Sequence, residues 1–229
     1  EAPAAAPRAG SGGAAYLAEH EVRCTRAGEV VVGALEPITS FGGGGAAALF
    51  GAGVAARLGS AYAGPTPIQA VAWPAAAAGG DVVALAKTGS GKTLAYMLPA
   101  LRRCAEKAGA GAGRGPASLV LAPTRELAIQ IADDAKKWGG DVATAVVYGG
   151  ADRRGQAKDL KQKRPKLVVA TPGRLKDFID DGTLDVSGVG CVVLDEADRM
   201  LDMGFEPQLT ALVEAMDKGA RTERQTLFF

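Results

Sequence analysis

Two short segments carry residue types able to bind a polyphosphate and a divalent cation. The first is Ala86-Lys87-Thr88-Gly89-Ser90-Gly91-Lys92-Thr93. Glycines at 89 and 91 let backbone N–H groups turn inward around a phosphate, and a helix starting behind them presents its positive end to the same anion. Lys92 is spaced to reach the β- and γ-phosphates, and the Thr93 hydroxyl to hold Mg²⁺. Ala86 stands where such loops usually begin with glycine. The plain alternative is a glycine-rich strand-to-helix turn; an apolar stretch before the loop and a helical one behind it favour phosphate binding. The second segment is Asp195-Glu196-Ala197-Asp198, directly behind Cys191-Val192-Val193-Leu194. Asp195 is suited to holding Mg²⁺ through water, and Glu196 to orienting or deprotonating an attacking water. Taken alone, the four residues could equally be an acidic helix start favoured by the helix dipole. Beside a phosphate loop they point to Mg²⁺-dependent hydrolysis of a nucleoside triphosphate.

Residues so far apart need a scaffold that gathers them. From residue 82 onward, short apolar runs alternate with segments of helical period, which predicts repeated βαβ units and an α/β fold with a mostly parallel sheet. The expected strands are 82–86, 118–122, 142–148, 167–170 and 189–194, with 226–229 a further one. They are apolar nearly throughout, as strands covered on both faces are. Residues 125–138 set Leu127, Ile131 and Trp138 on one helical face before Gly139-Gly140 stops the helix. Ligands of an open parallel sheet bind at the carboxyl ends of its strands, where the acidic segment falls.

With 48% hydrophobic and 22% charged residues the chain is an ordinary globular one, expected to form a main domain over 41–229 behind an N-terminal extension over 1–40. Residues 1–13 form an Ala/Pro/Gly tract, and 108–115 read as a surface loop. A net charge of +1 provides no global field for a polyanion, so any nucleic-acid contact must be local. Cys24, Cys104 and Cys191 show no zinc or disulfide spacing, which fits a reducing, intracellular compartment. The longest weakly apolar run, 46–56, is too short for a membrane span. His20 is given no role.

The two chemical segments, with others around them, resemble the DEAD-box RNA helicases, named for the tetrapeptide at 195–198. Ala61-Tyr62-Ala63-Gly64-Pro65-Thr66-Pro67-Ile68-Gln69 is similar to that family's adenine-reading Q motif, and Pro123-Thr124-Arg125-Glu126-Leu127 to its first RNA-contacting motif. Gly149-Gly150 and Thr171-Pro172-Gly173-Arg174-Leu175 resemble two further RNA motifs. The resemblance runs from about Tyr16 to the last residue. It implies a RecA-like P-loop NTPase domain that binds ATP, Mg²⁺ and single-stranded RNA. Gln69 and Pro67 would receive adenine, Phe41 would stack on it, and Asp198 would couple hydrolysis to strand separation. A second RecA-like domain, reached through a Ser-Ala-Thr motif beyond residue 229, would supply arginine fingers and half of the RNA groove. Trp73-Pro74 and the stretch 199–205 resemble the nuclear RNA-processing subgroup. A monomer with no membrane partner is expected.

The roles have physical content beside the resemblance. A glutamine amide offers a donor and an acceptor, which adenine matches and guanine does not. Thr124-Arg125 and Gly173-Arg174 open predicted helices, so backbone N–H groups and guanidinium forks can both meet phosphates. The alternative for either arginine is a surface ion pair. Residues 152–166 hold seven basic and two acidic residues, the only strongly positive stretch of the chain. Such a run is either an extension of an RNA path or a solvated helix face. Two rival functions are another P-loop ATPase acting on DNA and an ATP-gated RNA clamp without turnover.

Overall fold

The alternation of apolar strand-length runs and helical segments folds into two units, residues 1–95 and 96–229. The structure, a computed structural model, describes residues 11–23, 25–26, 29–30, 35–109, 115–217 and 224–229. Cys24, most of the 1–13 tract and the centre of the 108–115 loop lie outside the described residues.

In the first unit, helix α1 (Ser11–Glu19) precedes a short antiparallel pair, β1 (Thr25–Arg26) and β2 (Glu29–Val30). Helices α2 (Ala46–Phe50), α3 (Ala52–Ala61) and α4 (Pro67–Ala77) follow, then strand β3 (Val82–Val83). Pro67 sits at the first position of α4, where its missing N–H is harmless and its fixed φ suits a helix. Trp73 is the hub of this unit's core. Its indole N–H donates to Leu94 O at 3.1 Å, Phe50 meets it edge-on at 5.4 Å, and Phe41 packs against it at 6.3 Å. The strand expected over 82–86 is shorter than its apolar run, and Val83 and Leu85 are exposed.

Helix α5 (Lys92–Gly109) begins in the first unit and continues in the second. There follow β4 (Ser118–Leu121), α6 (Arg125–Gly139), β5 (Thr144–Val147), α7 (Arg153–Lys163), β6 (Leu167–Ala170), α8 (Pro172–Asp180), β7 (Cys191–Leu194), α9 (Ala197–Asp202), α10 (Glu206–Asp217) and β8 (Gln225–Phe228). The strands of the second unit lie in the order β8, β7, β4, β6, β5, every pair parallel. Their carboxyl ends are level: Leu121 is paired with both Ala170 and Leu194, Val147 with Ala170, and Leu194 with Phe228.

Because strand side chains alternate between faces, each strand feeds two layers. Leu119, Leu121, Val147, Val168, Ala170 and Val192 meet Leu160 of α7, Leu175 and Phe178 of α8, Met200 of α9 and Leu212 of α10 in one core. On the other side, α6 packs against β5 and β6, burying the expected stripe residues Ile131 and Trp138, while Leu127 is only partly covered. The α/β class and parallel sheet expected from the sequence are present. Strand β5 departs from the expected all-apolar pattern, since it ends this row of strands and alternates half-buried Thr144 and Val146 with buried Ala145 and Val147. Among the described residues no helix is long and apolar enough to cross a membrane, and Cys104 and Cys191 are buried thiols.

Candidate functional site

In the first unit, residues 86–91 form the turn between β3 and α5. Ser90 N–H donates to Lys87 O at 3.2 Å, and Gly89 and Gly91 have φ of 80° and 89°, a region that glycine enters without strain. Glycine at 91 is demanded twice over, because a Cβ there would lie 2.5 Å from Gln69 Nε2. Lys92 and Thr93 occupy the first turn of α5, half-buried. Gln69 is 5% exposed. Its Oε1 accepts from Thr66 N–H at 3.1 Å and its Nε2 donates to Gly91 O at 3.0 Å, so a buried amide ties the start of α4 to the glycine loop. One N–H and one lone pair of that amide remain beyond these two bonds.

The Ser90 hydroxyl is buried and makes no hydrogen bond among the described residues, while the Thr66 hydroxyl faces the start of α4 in a capping box with Gln69. An unspent hydroxyl beside an open-backbone loop fits a polar, oxygen-rich ligand, which an adenine nucleotide is. Pro67 is exposed, as are Lys87, Thr88 and Gly89, while Ala86 is half-buried. A cavity of about 570 Å³ opens alongside, lined by Pro67, Ile68, Lys87 and Ser90 among others. Phe41 is 7% exposed and committed to the packing around Trp73. That placement follows the commoner use of an aromatic, in a core.

In the second unit, the carboxyl ends of β7, β4, β6 and β5 bring the remaining segments together along one sheet edge. Asp195 follows β7 and is 4% exposed. A buried carboxylate must be hydrogen-bonded. Tyr96 of α5, itself fully buried, donates its hydroxyl to Asp195 Oδ2 at 2.8 Å, and Asp195 N–H donates to Leu121 O. Glu196 lies in the left-handed region at φ 51°, its N–H donating to Phe229 O at 2.9 Å and its Oε2 accepting from Arg199 Nη1 at 2.9 Å. A non-glycine residue held there stores strain, which clusters at functional sites. Asp198 is exposed at the start of α9 and accepts from Arg199 N–H at 2.8 Å. No group of three or more His, Cys, Asp or Glu is gathered for a metal among the described residues. Mg²⁺ needs none, since it takes one or two carboxylates with hydroxyl, phosphate and water oxygens; the Asp195 carboxylate in this unit and, in the first unit, the Thr93 hydroxyl are each a donor of that type.

Beside β7, strand β4 runs into buried Pro123 and then Thr124, whose hydroxyl caps α6 by accepting from Leu127 N–H at 3.3 Å. Arg125 is 54% exposed, with Nε donating to Glu126 Oε1 at 2.9 Å. The helix-start amide, followed by that guanidinium, holds the Glu126 carboxyl below its usual range. Next, β6 runs into Thr171, the N-cap of α8, whose N–H donates to Val147 O at 3.0 Å; Pro172 is buried and Gly173 half-buried. At the end of the row, Gly149 and Gly150 are exposed, and a Cβ at Gly150 would stand 3.8 Å from Arg125 Nη1. Three segments distant in the chain thus share one edge.

Arg174 behaves differently from Arg125. Its side chain is 10% exposed, donates from both Nη1 and Nη2 to Ala151 O at 3.3 Å, and lies 5.8 Å over the Phe178 ring. It braces the glycine loop from within. Gln156 of α7 braces the same loop, accepting from Tyr148 N–H and donating to Tyr148 O, each at 3.1 Å. Gln156 and Tyr96 are the residues that the sequence reading missed. A signal existed for each: Gln156 stands four residues before buried Leu160, on the inner face of its helix, and Tyr96 stands one turn after Lys92.

A profile described as DEAD/DEAH box helicase matches residues 66–229. Among curated proteins the chain is 48% identical over 174 residues to the probable ATP-dependent RNA helicase ddx17 of Dictyostelium discoideum, covering 75% of this chain and 22% of that protein. It is 46% identical over 170 residues to the ATP-dependent RNA helicase DBP3 of Coccidioides immitis, covering 73% and 32%. It thus spans between about a fifth and a third of these relatives. Among solved structures, a DEAD box protein from the hyperthermophile Methanococcus jannaschii matches with a TM-score of 0.65 at 35% identity, over 76% of this chain and 46% of that one.

Proposed function

The chain belongs to the DEAD/DEAH box helicase family, and on that premise we propose that it is the nucleotide-binding, RecA-like domain of an ATP-dependent RNA helicase. One observation carries the reading: level, parallel strand ends in the second unit line up the segments 123–125, 149–150, 171–174 and 195–198. A single RNA strand follows that edge, held at its phosphates by Arg125, by the exposed Gly149-Gly150 backbone and by the amides that open α6 and α8. Contacts of this kind position a strand without reading its bases. Arg174 serves the path by holding Ala151.

Adenine is read by the remaining donor and acceptor of Gln69, beside Pro67. Phosphates are cradled by the loop 86–91 and met by Lys92. Thr93 and Asp195 hold Mg²⁺, which when bound neutralises charge on the phosphates. Glu196 orients the attacking water or takes its proton, and Asp198 relays hydrolysis to the RNA side. A second RecA-like domain completes the RNA groove and supplies arginine fingers. The protein acts as a monomer in the nucleus.

Titrating the chain with ATP, ADP, GTP and GDP tests the nucleotide half. Adenine nucleotides should bind more tightly, and Gln69→Ala should narrow the gap; equal affinities for both bases sink the assignment. Competition between single-stranded RNA and DNA tests the other half. Arg125→Ala should weaken RNA binding across all sequences, and a loss confined to one sequence argues against phosphate contacts.

A further inference from the structure

Helix α7 leaves the Gly149-Gly150 loop carrying five cations, which the structure sorts into two sets. Arg153 pairs with Asp181 and lies 5.2 Å over the Phe178 ring, and Lys163 pairs with Asp159 at 2.6 Å. Arg154, Lys158 and Lys161 are exposed and enter no ion pair among the described residues. Their spacing of i, i+4 and i+7 puts them on one stripe, reaching about 10 Å along the helix. The inner face is a different one, formed by Gln156, Ala157 and Leu160.

This arrangement works against the helix that carries it. Like charges three and four residues apart repel one another. The first turn holds Arg153 and Arg154 and no acidic residue, so cations stand at the positive end of the dipole; Asp181 offsets Arg153, and for Arg154 the Asp152 cap is the nearby carboxylate. The result is a concentrated positive potential in a chain of net charge +1. It begins where the exposed glycine loop ends.

We propose that Arg154, Lys158 and Lys161 form a phosphate track that carries RNA beyond the motif loops and along α7. The track rests on the RNA-binding half of the function proposed above. It is sequence-independent, and its contribution is counterion release from the nucleic acid.

The test is fluorescence anisotropy of labelled oligouridylate with the full chain over a salt series, comparing wild type with Arg154→Gln/Lys158→Gln/Lys161→Gln. Three lost phosphate contacts on a single strand should lower the slope of log affinity against log salt by about 2. The same variant should melt at a higher temperature than wild type, because the repulsion is gone. The charge-conserving Arg154→Lys/Lys158→Arg/Lys161→Arg should keep the wild-type slope. An unchanged slope in the Gln variant, with Arg125→Ala still weakening binding, overturns the track and leaves the RNA reading standing. No RNA binding by the wild-type chain overturns both. A reduced slope in the charge-conserving variant, RNA loss accompanied by a lower Tm, or equally tight binding of polyglutamate each overturns the track as well.

Discussion

Replacing Tyr96 by Phe isolates one hydrogen bond inside the second unit. The hydroxyl donates to Asp195 Oδ2 at 2.8 Å, with Tyr96 at 0% and Asp195 at 4% exposure. Phe keeps the ring and its edge-to-face contact with Phe229 at 5.3 Å, so the change deletes one O–H and creates almost no cavity. A hydrogen bond to a charged group contributes about 1.5–3 kcal/mol, and a buried carboxylate left one donor short belongs at the upper end. In a domain of this size 1 kcal/mol moves Tm by about 2–4 °C, so Tyr96→Phe should lower it by about 3–12 °C. Thermal and urea denaturation followed by far-UV circular dichroism measure this. With Asp195→Leu in the background the same substitution should cost almost nothing, because no carboxylate remains to be satisfied. A loss below about 0.5 kcal/mol, or an equal loss in both backgrounds, would refute the claim that Tyr96 holds the carboxylate.

Gly91→Ala should reduce adenine-nucleotide affinity by about tenfold or more, since the left-handed φ adds strain and the new methyl displaces the Gln69 amide; isothermal titration with ADP and GDP should show the preference for adenine shrinking too. Asp134 has its carboxyl raised above the usual range, chiefly by burial, against the pull of Lys137. Its ionised form therefore destabilises the folded state at neutral pH, and the penalty is relieved as pH falls through the raised value. Asp134→Asn should raise Tm at pH 7 and match wild type in acid, as a melting series over pH will show. Glu126 runs the other way: its lowered value means a contribution present above the unfolded pKa and lost as pH falls through the folded one. The pH dependence of stability should therefore become shallower in acid for Glu126→Gln.

What the chain alone determined about itself is the chemistry written in consecutive residues. A phosphate loop is a local object, because two glycines, a lysine and a threonine must stand next to one another between a strand and a helix. For the same reason the helices opening at Thr124-Arg125 and close to Gly173-Arg174 were legible, as were the parallel strands, whose two covered faces demand unbroken apolar runs. The placing of one segment against another is not local. The order β8, β7, β4, β6, β5, which sets Arg125 beside Gly150 although β5 comes later in the chain than β4 and is separated from it by β6, arises from pairing between distant strands. The same non-local packing turned Arg174, in the first turn of α8, inward onto Ala151 while leaving Arg125, the first residue of α6, largely in solvent. It packed Phe41 against Trp73, and it brought Tyr96 to Asp195 and Gln156 to Tyr148. Side-chain direction and burial depend on what lies opposite, and what lies opposite is decided only when the sheet has formed.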